Sequence, residues 1–390
     1  MPEFNVETVP PNLFAVPDLN SERVPSLPPS RAFLQPYWSP HIAHELITTA
    51  QSLVNPRGKG IYATDESPDV IQALFDGVQV NDHEERVWTE AGKKERRKKW
   101  RECAYNAVPS EYISGVILYP ETLVDFGLAP ILAAKGIIPG VRANGELMPI
   151  PSSPSEFIVE GLDGLLGRLQ AARAAGARFS KWRVTIACTS KERGLPTQTS
   201  LELQADTLGK YAAISQEAGL VPIVEPDVEF SEDADLARSA EVHEKAISMI
   251  YDRMRTYNVL LEGSIIKPSF SLPGLKFANR DKYKPEDIAF ATATVIARAV
   301  PTSVPGVAFL SGGLTPALAT HYLAALNALV NSSQAPSPFA RLPSLTFSFG
   351  RALQGDALKE WVKGNEEQTK VLLQKWSQVC WRSARGVVSD

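Results

Sequence analysis

Short β-rich runs alternate with longer stretches of helical periodicity over most of this chain. Each gap between the runs is long enough to hold a helix, as parallel strands require. The runs are Gly58–Asp65, Ser114–Pro120, Ile137–Asn144, Phe179–Ile186, Leu220–Asp227, Leu261–Pro268, Gly306–Gly313 and Leu345–Arg351. They are mostly apolar rather than alternating, which is typical of strands covered on both faces. Eight such units favour a closed (β/α)8 TIM barrel over an open α/β sheet.

The N-terminal residues 1–40 depart from this pattern. They contain nine prolines and show no helical periodicity. Proline lacks the backbone donor that regular structure needs, so we predict an extended arm over 1–40 and a single barrel domain over 41–390. The sequence leaves open whether the arm is disordered or wraps the barrel or a neighbouring subunit. The first helix of the domain is predicted from about His41 to Leu53, where apolar residues recur at helical spacing.

The segment Lys93–Arg101 is strongly basic and falls in a predicted helix between the first two strands. We interpret it as a solvated helix face, because an isolated charge run is a weak motif. A surface that attracts phosphate or makes a regulatory contact is the alternative.

Composition narrows the class of protein. The net charge of −4 and the pI near 5.9 argue against nucleic-acid and anionic-membrane partners, although a small anionic substrate needs only local cations. Three cysteines, far apart and without a CxxC pair, favour a reducing compartment. Neither an apolar run of membrane-spanning length nor a secretory signal is visible in the sequence. We therefore expect a soluble cytoplasmic protein.

Polar side chains end nearly every β-rich run, on the face that carries the active site in TIM barrels. They are Asp65, Arg142, Lys181, Arg183, Glu225, Asp227, Lys267, Ser311 and Arg351. An unpaired charge inside a barrel strand is unfavourable. Two lysines at the ends of runs four and six, with a carboxylate ending the run between them, therefore predict a functional cluster.

Lys267 is the candidate nucleophile in this cluster. It follows two isoleucines, and burial beside a second cation, Lys181, would lower the pKa of its amine. A neutral amine can attack a ketone and form an iminium, which is an electron sink for breaking a neighbouring C–C bond. Glu225 and Asp65 suit the proton transfers. The alternative is a structural ion pair between Lys267 and Glu225 at the barrel rim.

Glycines after the last two runs predict an anion site. Ser311, Gly312 and Gly313 close run seven, while Gly350 and Arg351 close run eight. The loops after strands seven and eight are the usual phosphate cradle of a TIM barrel, where glycine amides approach the oxygens and an arginine binds them bidentately. Ordinary barrel turns are the alternative.

Other chemistries lack support in the sequence. None of the five histidines ends a β-rich run, and no pair has convincing ligand spacing, so we expect no metal site. Dinucleotide, P-loop and serine-hydrolase motifs are missing from the sequence. We expect no cofactor other than the covalent Schiff base on Lys267.

These residues resemble class I fructose-bisphosphate aldolase, and the resemblance runs from about Gly58 to Lys359. The resembling segments are GKGIYATDES, SGVILYPETL, EGLDGL, SKWR, GLVPIVEPD, LLEGSIIKP, FLSGG and LTFSFGRALQGDALK. The resemblance implies a TIM barrel and a metal-independent aldehyde-lyase of glycolysis that acts on a sugar phosphate. It also implies a homo-oligomer, a tetramer.

The resemblance also assigns roles to individual residues. Lys267 matches the Schiff-base lysine, Glu225 the acid/base for iminium formation, and Asp65 the aspartate that handles the C4 hydroxyl. Asp227 stands at the family's second carboxylate, one methylene shorter. The remaining matches bind substrate or phosphate, and they are Lys181, Arg183, Ser67, Arg142, Ser311, Gly312, Gly350 and Arg351, of which Ser311, Gly312, Gly350 and Arg351 hold the C1 phosphate.

Departures from the family pattern cluster at the far, C6-phosphate end of the substrate. Val70 replaces a phosphate-binding hydroxyl, Leu74 an arginine, and Arg142 a lysine. We therefore expect a donor half that resembles dihydroxyacetone phosphate. The aldehyde half is expected to be unphosphorylated, larger or more apolar than glyceraldehyde 3-phosphate.

Further departures lie outside the pocket. Stretches near Asn81–Glu95 and Pro151–Ile158 read as insertions. The family's C-terminal tail with its terminal tyrosine has no counterpart in a chain that ends at Asp390, so slow proton exchange at C3 is the expectation.

Three functions are compatible with these residues. The first is a class I aldolase-like lyase acting on a ketose 1-phosphate or a related aldol. In it Lys267 is the nucleophile, Glu225 and Lys181 are acid/base partners, Asp65 is the base for C–C cleavage, and Asp227 is counted among the catalytic residues. The second is an aldolase-fold enzyme of a dedicated secondary pathway with a non-glycolytic substrate. The third is a non-catalytic binding protein, against which the joint presence of Lys267, Glu225, Asp65 and Lys181 weighs.

Overall fold

Eight parallel strands close into a barrel in the structure, a computed structural model that describes residues 38–79, 88–151, 153–332 and 338–388. The strands around the barrel follow the order β1-β10-β9-β8-β7-β6-β3-β2 and then return to β1. Their bounds are β1 Gly60–Thr64, β2 Ile113–Leu118, β3 Ile138–Arg142, β6 Phe179–Ile186, β7 Val221–Val228, β8 Ile265–Ile266, β9 Gly306–Phe309 and β10 Ser344–Phe349. The predicted TIM barrel is confirmed.

Helices surround the barrel: the first precedes β1 and closes one end, and the others form the outer layer. They are α1 Pro40–Val54, α2 Pro68–Asp76, α3 Glu90–Ala107, α4 Ala129–Ala133, α5 Leu165–Ala174, α6 Gln198–Glu217, α7 Leu236–Thr256, α8 Pro285–Ala299, α9 Pro316–Asn331, α10 Arg351–Val362 and α11 Glu366–Ser383. Every residue of β2, β7 and β10 is buried, because the helices cover one face of these strands and the barrel interior the other. Among the described residues, no helix is long and apolar enough to cross a membrane.

Helix α1 closes the amino end of the barrel. Its buried face, which includes Leu46 and Leu53, packs against strand residues such as Phe179 and Ile265. Gly306 begins β9 directly against this helix, and a methyl group there would lie 2.5 Å from Val54. The chemistry-bearing end of the barrel is therefore the opposite, carboxyl end.

The predicted helix over His41–Leu53 is confirmed as α1, one residue longer at each end. Of the predicted arm, residues 1–37 lie outside the described residues, and Ser39 caps α1 by accepting from the amide of Ile42. The division into an arm and a barrel domain stays a prediction.

Strand β8 is the main difference from the predicted strand lengths. A 3-10 turn over Leu261–Gly263 takes up the first half of the predicted run, and Pro268 cannot continue the ladder, so two residues are left for pairing. These two residues still join the barrel, with Ile265 opposite Ile223 on β7 and Ile266 opposite Val307 on β9.

An antiparallel hairpin projects from the barrel after β3. It consists of β4 Leu147–Ile150 and β5 Ser153–Val159, with Leu147 opposite Val159. The sequence pattern does not predict this hairpin, although one of the two suggested insertions, Pro151–Ile158, overlaps it. Of the other, Asn81–Glu95, residues 81–87 lie outside the described residues.

The interpretation of Lys93–Arg101 as a solvated helix face is only partly right. Lys94 and Lys99 on α3 are exposed, but Arg97 and Arg101 are buried. Two nitrogens of Arg97 donate to Glu121 at 3.0 and 2.8 Å. Arg101 pairs with Glu66, the residue that follows Asp65. A buried charge needs such a partner, and both partners lie far from α3 in the sequence.

Candidate active site

A cavity of about 700 Å³ opens at the carboxyl ends of the barrel strands. It brings together all the residues that the sequence analysis singled out for the site. These are Asp65, Ser67, Arg142, Lys181, Arg183, Glu225, Asp227, Lys267, Ser311, Gly312, Gly350 and Arg351. The placement agrees with the general rule that strand ends and the loops after them build the active site of a TIM barrel.

Four charged side chains form a connected cluster at the floor of this cavity. Lys181 Nζ lies 2.6 Å from Asp65 Oδ2 and 3.0 Å from Glu225 Oε2. Lys267 Nζ lies 3.3 Å from the other oxygen of Glu225. Strands β6, β7 and β8 are consecutive in the barrel, which places the two lysines on either side of Glu225.

The two buried lysines differ in how tightly they hold a proton. Burial lowers the pKa of Lys267, and the positive charge of Lys181 lowers it further, while Glu225 opposes both effects. Burial acts in the same direction on Lys181, but the charges of Asp65 and Glu225 outweigh it and raise the pKa. Lys267 is therefore the lysine that more readily provides a neutral amine.

Two of the carboxyl groups in the cluster are held in the ionised form. Burial alone would raise the pKa values of Asp65 and Glu225, but the charges of Lys181 and Lys267 outweigh it, so both values lie below the usual range. Each of these carboxyl groups is therefore ionised at neutral pH.

Asp227 behaves differently from its neighbour Glu225 on β7. Arg183 donates to Asp227 Oδ2 through Nε at 2.8 Å, and its Nη2 lies 2.7 Å from the same oxygen. Burial nevertheless raises the pKa of Asp227, and the nearby charge of Glu225 adds to this effect against the pull of Arg183. The Arg183–Asp227 ion pair thus borders the cluster, whose two lysines form their own ion pairs with Asp65 and Glu225.

Two buried hydroxyls in the cavity wall were missed by the sequence analysis. Thr185 Oγ1 and Ser348 Oγ have no hydrogen-bond partner among the described residues, and both residues line the cavity. Two-residue alternation along a strand is the signal that could have found them. Thr185 shares the face of Lys181 and Arg183 on β6, and Ser348 lies on β10 just before the Gly350 turn.

Glycine-rich turns and a helix N-terminus lie together on one side of the cavity. Gly312 and Gly313 have φ values of +53° and +86°, a backbone conformation that favours glycine. Helix α10 begins at Arg351 directly after Gly350, so its first amides and the Arg351 side chain border the cavity. Free amides at the positive end of a helix bind anions such as phosphate.

Another part of the cavity wall, which we call the α2 side, combines apolar side chains with polar groups that are already hydrogen-bonded or paired. Val70 is 52% exposed and lines it together with Leu74. Arg142 donates to two backbone carbonyls, of Asn144 and Gly145, at 3.3 Å each. Further lining residues missed by the sequence analysis are Glu66, Glu146, Leu147, Glu229 and Leu275.

Helix α2 itself begins within the cavity wall. Pro68 occupies its first turn, where a proline's missing amide hydrogen is not needed, and the Ser67 side chain does not cap the helix. The Ser67 hydroxyl therefore lines the cavity instead of closing the helix end.

A cation site of protein ligands is not found in the described part of the chain, where no three His, Cys, Asp or Glu side chains are grouped to hold a metal ion.

The comparisons with known proteins agree with this geometry. A family model described as fructose-bisphosphate aldolase class-I matches residues 45–386. The chain belongs to this family. The aldolase family fits the cluster of two buried lysines and two ionised carboxylates in one cavity, and the predictions of the family and of an aldehyde-lyase are confirmed.

Two relatives show how far the likeness extends. The fructose-bisphosphate aldolase of Dictyostelium discoideum is 38% identical over 327 residues, which cover 82% of this chain and 85% of that protein. Cytosolic fructose-bisphosphate aldolase 5 of Arabidopsis thaliana is 37% identical over 335 residues, covering 84% of this chain and 86% of that protein.

A solved aldolase structure has the same fold. Fructose-bisphosphate aldolase of Plasmodium falciparum, in complex with TRAP and a small-molecule inhibitor, superimposes with a TM-score of 0.80 at 34% identity. The match covers 90% of this chain and 96% of that one. The roles of individual residues in this chain stay predictions.

Proposed function

We propose that this aldolase-family protein cleaves and forms a ketose 1-phosphate or a closely related aldol through an iminium on Lys267. The observation that carries the proposal is the environment of this lysine. It is 4% exposed, its nitrogen lies 3.3 Å from Glu225, and Lys181 supplies a second positive charge beside it. Burial and a neighbouring cation are the two effects that free a lysine amine for attack.

Formation of the iminium uses Lys267 and Glu225. The neutral amine attacks the C2 carbonyl of the ketose, the carbonyl oxygen takes a proton from solvent in the open cavity, and the nitrogen gives up one of its own protons. Glu225, ionised in the resting cluster, is placed to accept that proton and to return it to the hydroxyl, which leaves as water. The nitrogen lone pair then forms the C=N bond of the iminium.

Cleavage of the C–C bond uses Asp65. Its ionised carboxylate takes the proton of the C4 hydroxyl, the C3–C4 bond breaks, and its electron pair moves toward the iminium nitrogen to give an enamine. The aldehyde half leaves. Protonation at C3 and hydrolysis then release the donor half and restore the Lys267 amine. Lys181 stays charged throughout and holds Asp65 and Glu225 in position.

The donor half is proposed to be dihydroxyacetone phosphate. Its phosphate fits the side of the cavity formed by Ser311, Gly312, Gly350 and Arg351, which follow β9 and β10. Strand β9 neighbours β8, and β10 follows β9 around the barrel, so the Ser311–Gly312 part of the cradle lies next to the strand that leads into Lys267. A phosphate bound there would place the adjacent carbons over the amine.

The aldehyde half is proposed to occupy the α2 side and to lack a phosphate. Val70, Leu74 and Leu147 offer apolar surface there, and a phosphate facing them would lose hydration without gaining donors. Arg142 is engaged with backbone carbonyls and lies 3.9 Å from Glu146, while Glu229 adds a further carboxylate to the wall. These features support an aldehyde larger or more apolar than glyceraldehyde 3-phosphate.

Further properties follow from the same proposal. The iminium is itself the electron sink, so the scheme uses neither a metal ion nor a separate cofactor. One relative carries the word cytosolic in its name, and we propose the cytoplasm for this chain too. A homotetramer, and the lack of nucleic-acid and membrane partners, stay predictions.

Borohydride trapping tests the proposal. The protein is incubated with dihydroxyacetone phosphate, reduced with borohydride, and examined by intact mass and peptide mapping. The proposal requires a stable adduct on Lys267 that is lost in Lys267→Met and kept in Lys276→Met, a matched change at an exposed lysine. Absence of an adduct with dihydroxyacetone phosphate and with unphosphorylated ketones would overturn it.

A further inference from the structure

A glutamate–arginine pair lies directly behind the proposed site. Arg101 Nη2 lies 2.9 Å from Glu66 Oε2, and the arginine is 2% exposed. Arg101 comes from the basic helix α3, which does not itself reach the cavity, whereas Glu66 lines it. The guanidinium is thus a buried charge whose described ion-pair partner stands in the cavity wall.

The second oxygen of Glu66 is tied to the other side of the site. Gln354 on α10 donates to Glu66 Oε1, and the Tyr62 hydroxyl donates to Gln354. The backbone is close as well, since a methyl group placed on Gly350 would lie 3.7 Å from Glu66 Oε1. The Glu66 carboxylate therefore bridges α3 and the first turns of α10.

This bridge brings a negative charge close to the proposed phosphate cradle. Gly350 and Arg351 belong to that cradle, and Glu66 follows Asp65, the proposed base for C–C cleavage. An uncompensated carboxylate at this distance would repel a phosphate, because charges interact strongly in a partly buried setting. The Arg101 charge compensates it from the side away from the cavity.

We propose that Arg101 is a positioning residue of the active site. It neutralises Glu66 and holds it between the Asp65 segment and the start of α10, so that the cradle accepts a phosphate. The inference rests on the proposed function, because it assigns the phosphate to the Gly350–Arg351 side. It adds a residue outside the cavity to the determinants of phosphate binding.

The chain offers a matched control for this role. Arg97 lies one turn earlier on α3 and is also buried in a pair, with Glu121 on the π-helical turn Glu121–Asp125. Neither Arg97 nor Glu121 lines the cavity. Loss of either arginine leaves a carboxylate without its cation, but only Glu66 stands beside the proposed cradle.

The test compares steady-state cleavage of fructose 1-phosphate by Arg101→Met, Arg97→Met and the double variant Glu66→Gln/Arg101→Met. We expect Arg101→Met to raise KM by about tenfold or more, the equivalent of one unpaired charge near the phosphate. Arg97→Met should change KM by less than about threefold even where it lowers Tm as much. In the double variant, KM should return most of the way to the wild-type value, since the glutamine keeps the Gln354 contact and carries no charge.

Trapping with unphosphorylated dihydroxyacetone separates this inference from the proposed function. We expect the Lys267 adduct to form in wild type and in Arg101→Met to a similar extent, because that ketone has no phosphate for Glu66 to repel. An equal KM change in Arg97→Met and Arg101→Met, or a double variant as impaired as Arg101→Met, would overturn the positioning role while leaving the Lys267 chemistry intact. Absence of a wild-type adduct with both dihydroxyacetone and dihydroxyacetone phosphate would instead remove the proposed function.

Discussion

Lys181 Nζ lies 2.6 Å from Asp65 Oδ2, an ion pair that joins the segment after β1 to β6 across the mouth of the barrel. Strands β2 and β3 lie between these two strands on that side of the ring. The pair thus fixes Lys181 where its charge also acts on Lys267. The ammonium that holds the carboxylates in place is the same one that lowers the pKa of the nucleophile.

Replacement of Lys181 by methionine should therefore shift the pH dependence of iminium formation. Without the Lys181 charge, Lys267 faces Glu225 and Asp65 alone, so its pKa rises and less of it is neutral at a given pH. We expect the rate of borohydride-trapped adduct formation near pH 7 to fall about tenfold or more, and the rate profile to move to higher pH. Single-turnover trapping across pH 6–10 measures this, with Lys276→Met as the control. A profile that loses amplitude without moving would contradict the electrostatic role.

Replacement of Lys267 by methionine should abolish cleavage while the fold persists. The substitution removes the nucleophile, but Glu225 keeps Lys181 at 3.0 Å, so no carboxylate is left without a cation. We expect kcat to fall by roughly 10⁴ or more, as for loss of a covalent nucleophile. Steady-state kinetics test the loss of cleavage, and thermal unfolding tests whether the fold persists. Retained turnover would favour the structural ion-pair interpretation of Lys267.

The charged cluster could be predicted from the sequence because charged residues are rare in apolar β-rich runs. A charge in a strand that is covered on both faces is unfavourable unless it is paired, so its presence is informative. Lys267 directly follows β8 as predicted, but Lys181 is the third residue of β6 and Glu225 the fifth of β7, so these two lie within their strands and not at the predicted ends. Their distances to one another required the register of β6, β7 and β8, which no local pattern encodes.

Arg101 shows why other parts could not be predicted. It sits in a run of like charges, and its burial depends on Glu66, 35 positions away in the chain. The wall residues Leu147, at the start of β4, and Leu275, in a loop, are similar cases, because an isolated apolar side chain gains meaning only when its segment folds over a cavity. Long-range partners of this kind belong to the tertiary fold and not to local periodicity.

A buried histidine near the site should make stability depend on pH. His243 on α7 lies against Ser269, two residues after Lys267, with Nε2 3.0 Å from the serine hydroxyl and Nδ1 donating to the Ser239 carbonyl at 2.7 Å. Burial lowers the pKa of His243 to about 4, although its two hydrogen bonds oppose the shift. The folded protein therefore keeps this imidazole neutral at pH values where an unfolded chain, with a histidine pKa near 6.5, protonates it.

The resulting loss of stability has a defined window. Above about pH 6.5 the imidazole is neutral in both states, and below it the unfolded state gains protons first, so the free energy of unfolding falls until about pH 4. The shift corresponds to about 3 kcal/mol over that window. Asp65 and Glu225 also have shifted pKa values, but these are lowered in the folded protein. The stability that the two ionised carboxylates contribute is therefore lost only as the pH falls toward about 4 and below.

Urea unfolding at several pH values measures this effect. In wild type, the free energy of unfolding should fall between pH 7.5 and 4.5. In His243→Gln, whose amide does not titrate, this fall should be smaller by most of the about 3 kcal/mol assigned to His243. His44→Gln, a change at an exposed histidine of α1, is the control. Equal pH slopes in wild type and His243→Gln would show that His243 does not govern stability in this range.

The apolar α2 side should set the substrate preference, and two substitutions should change it. We expect wild type to cleave fructose 1-phosphate at least as efficiently as fructose 1,6-bisphosphate, because Val70 and Leu74 offer no donor to a second phosphate. The double variant Val70→Ser/Leu74→Arg places a hydroxyl and a guanidinium on that wall, groups that bind phosphate by charge-assisted hydrogen bonds. Its kcat/KM for the bisphosphate should rise about tenfold, with little change for the monophosphate.

The matched control is Val371→Ser, which alters a similarly exposed valine on α11. A wild-type enzyme that strongly prefers the bisphosphate, or a double variant with an unchanged ratio of the two kcat/KM values, would show that the α2 side does not select the aldehyde half.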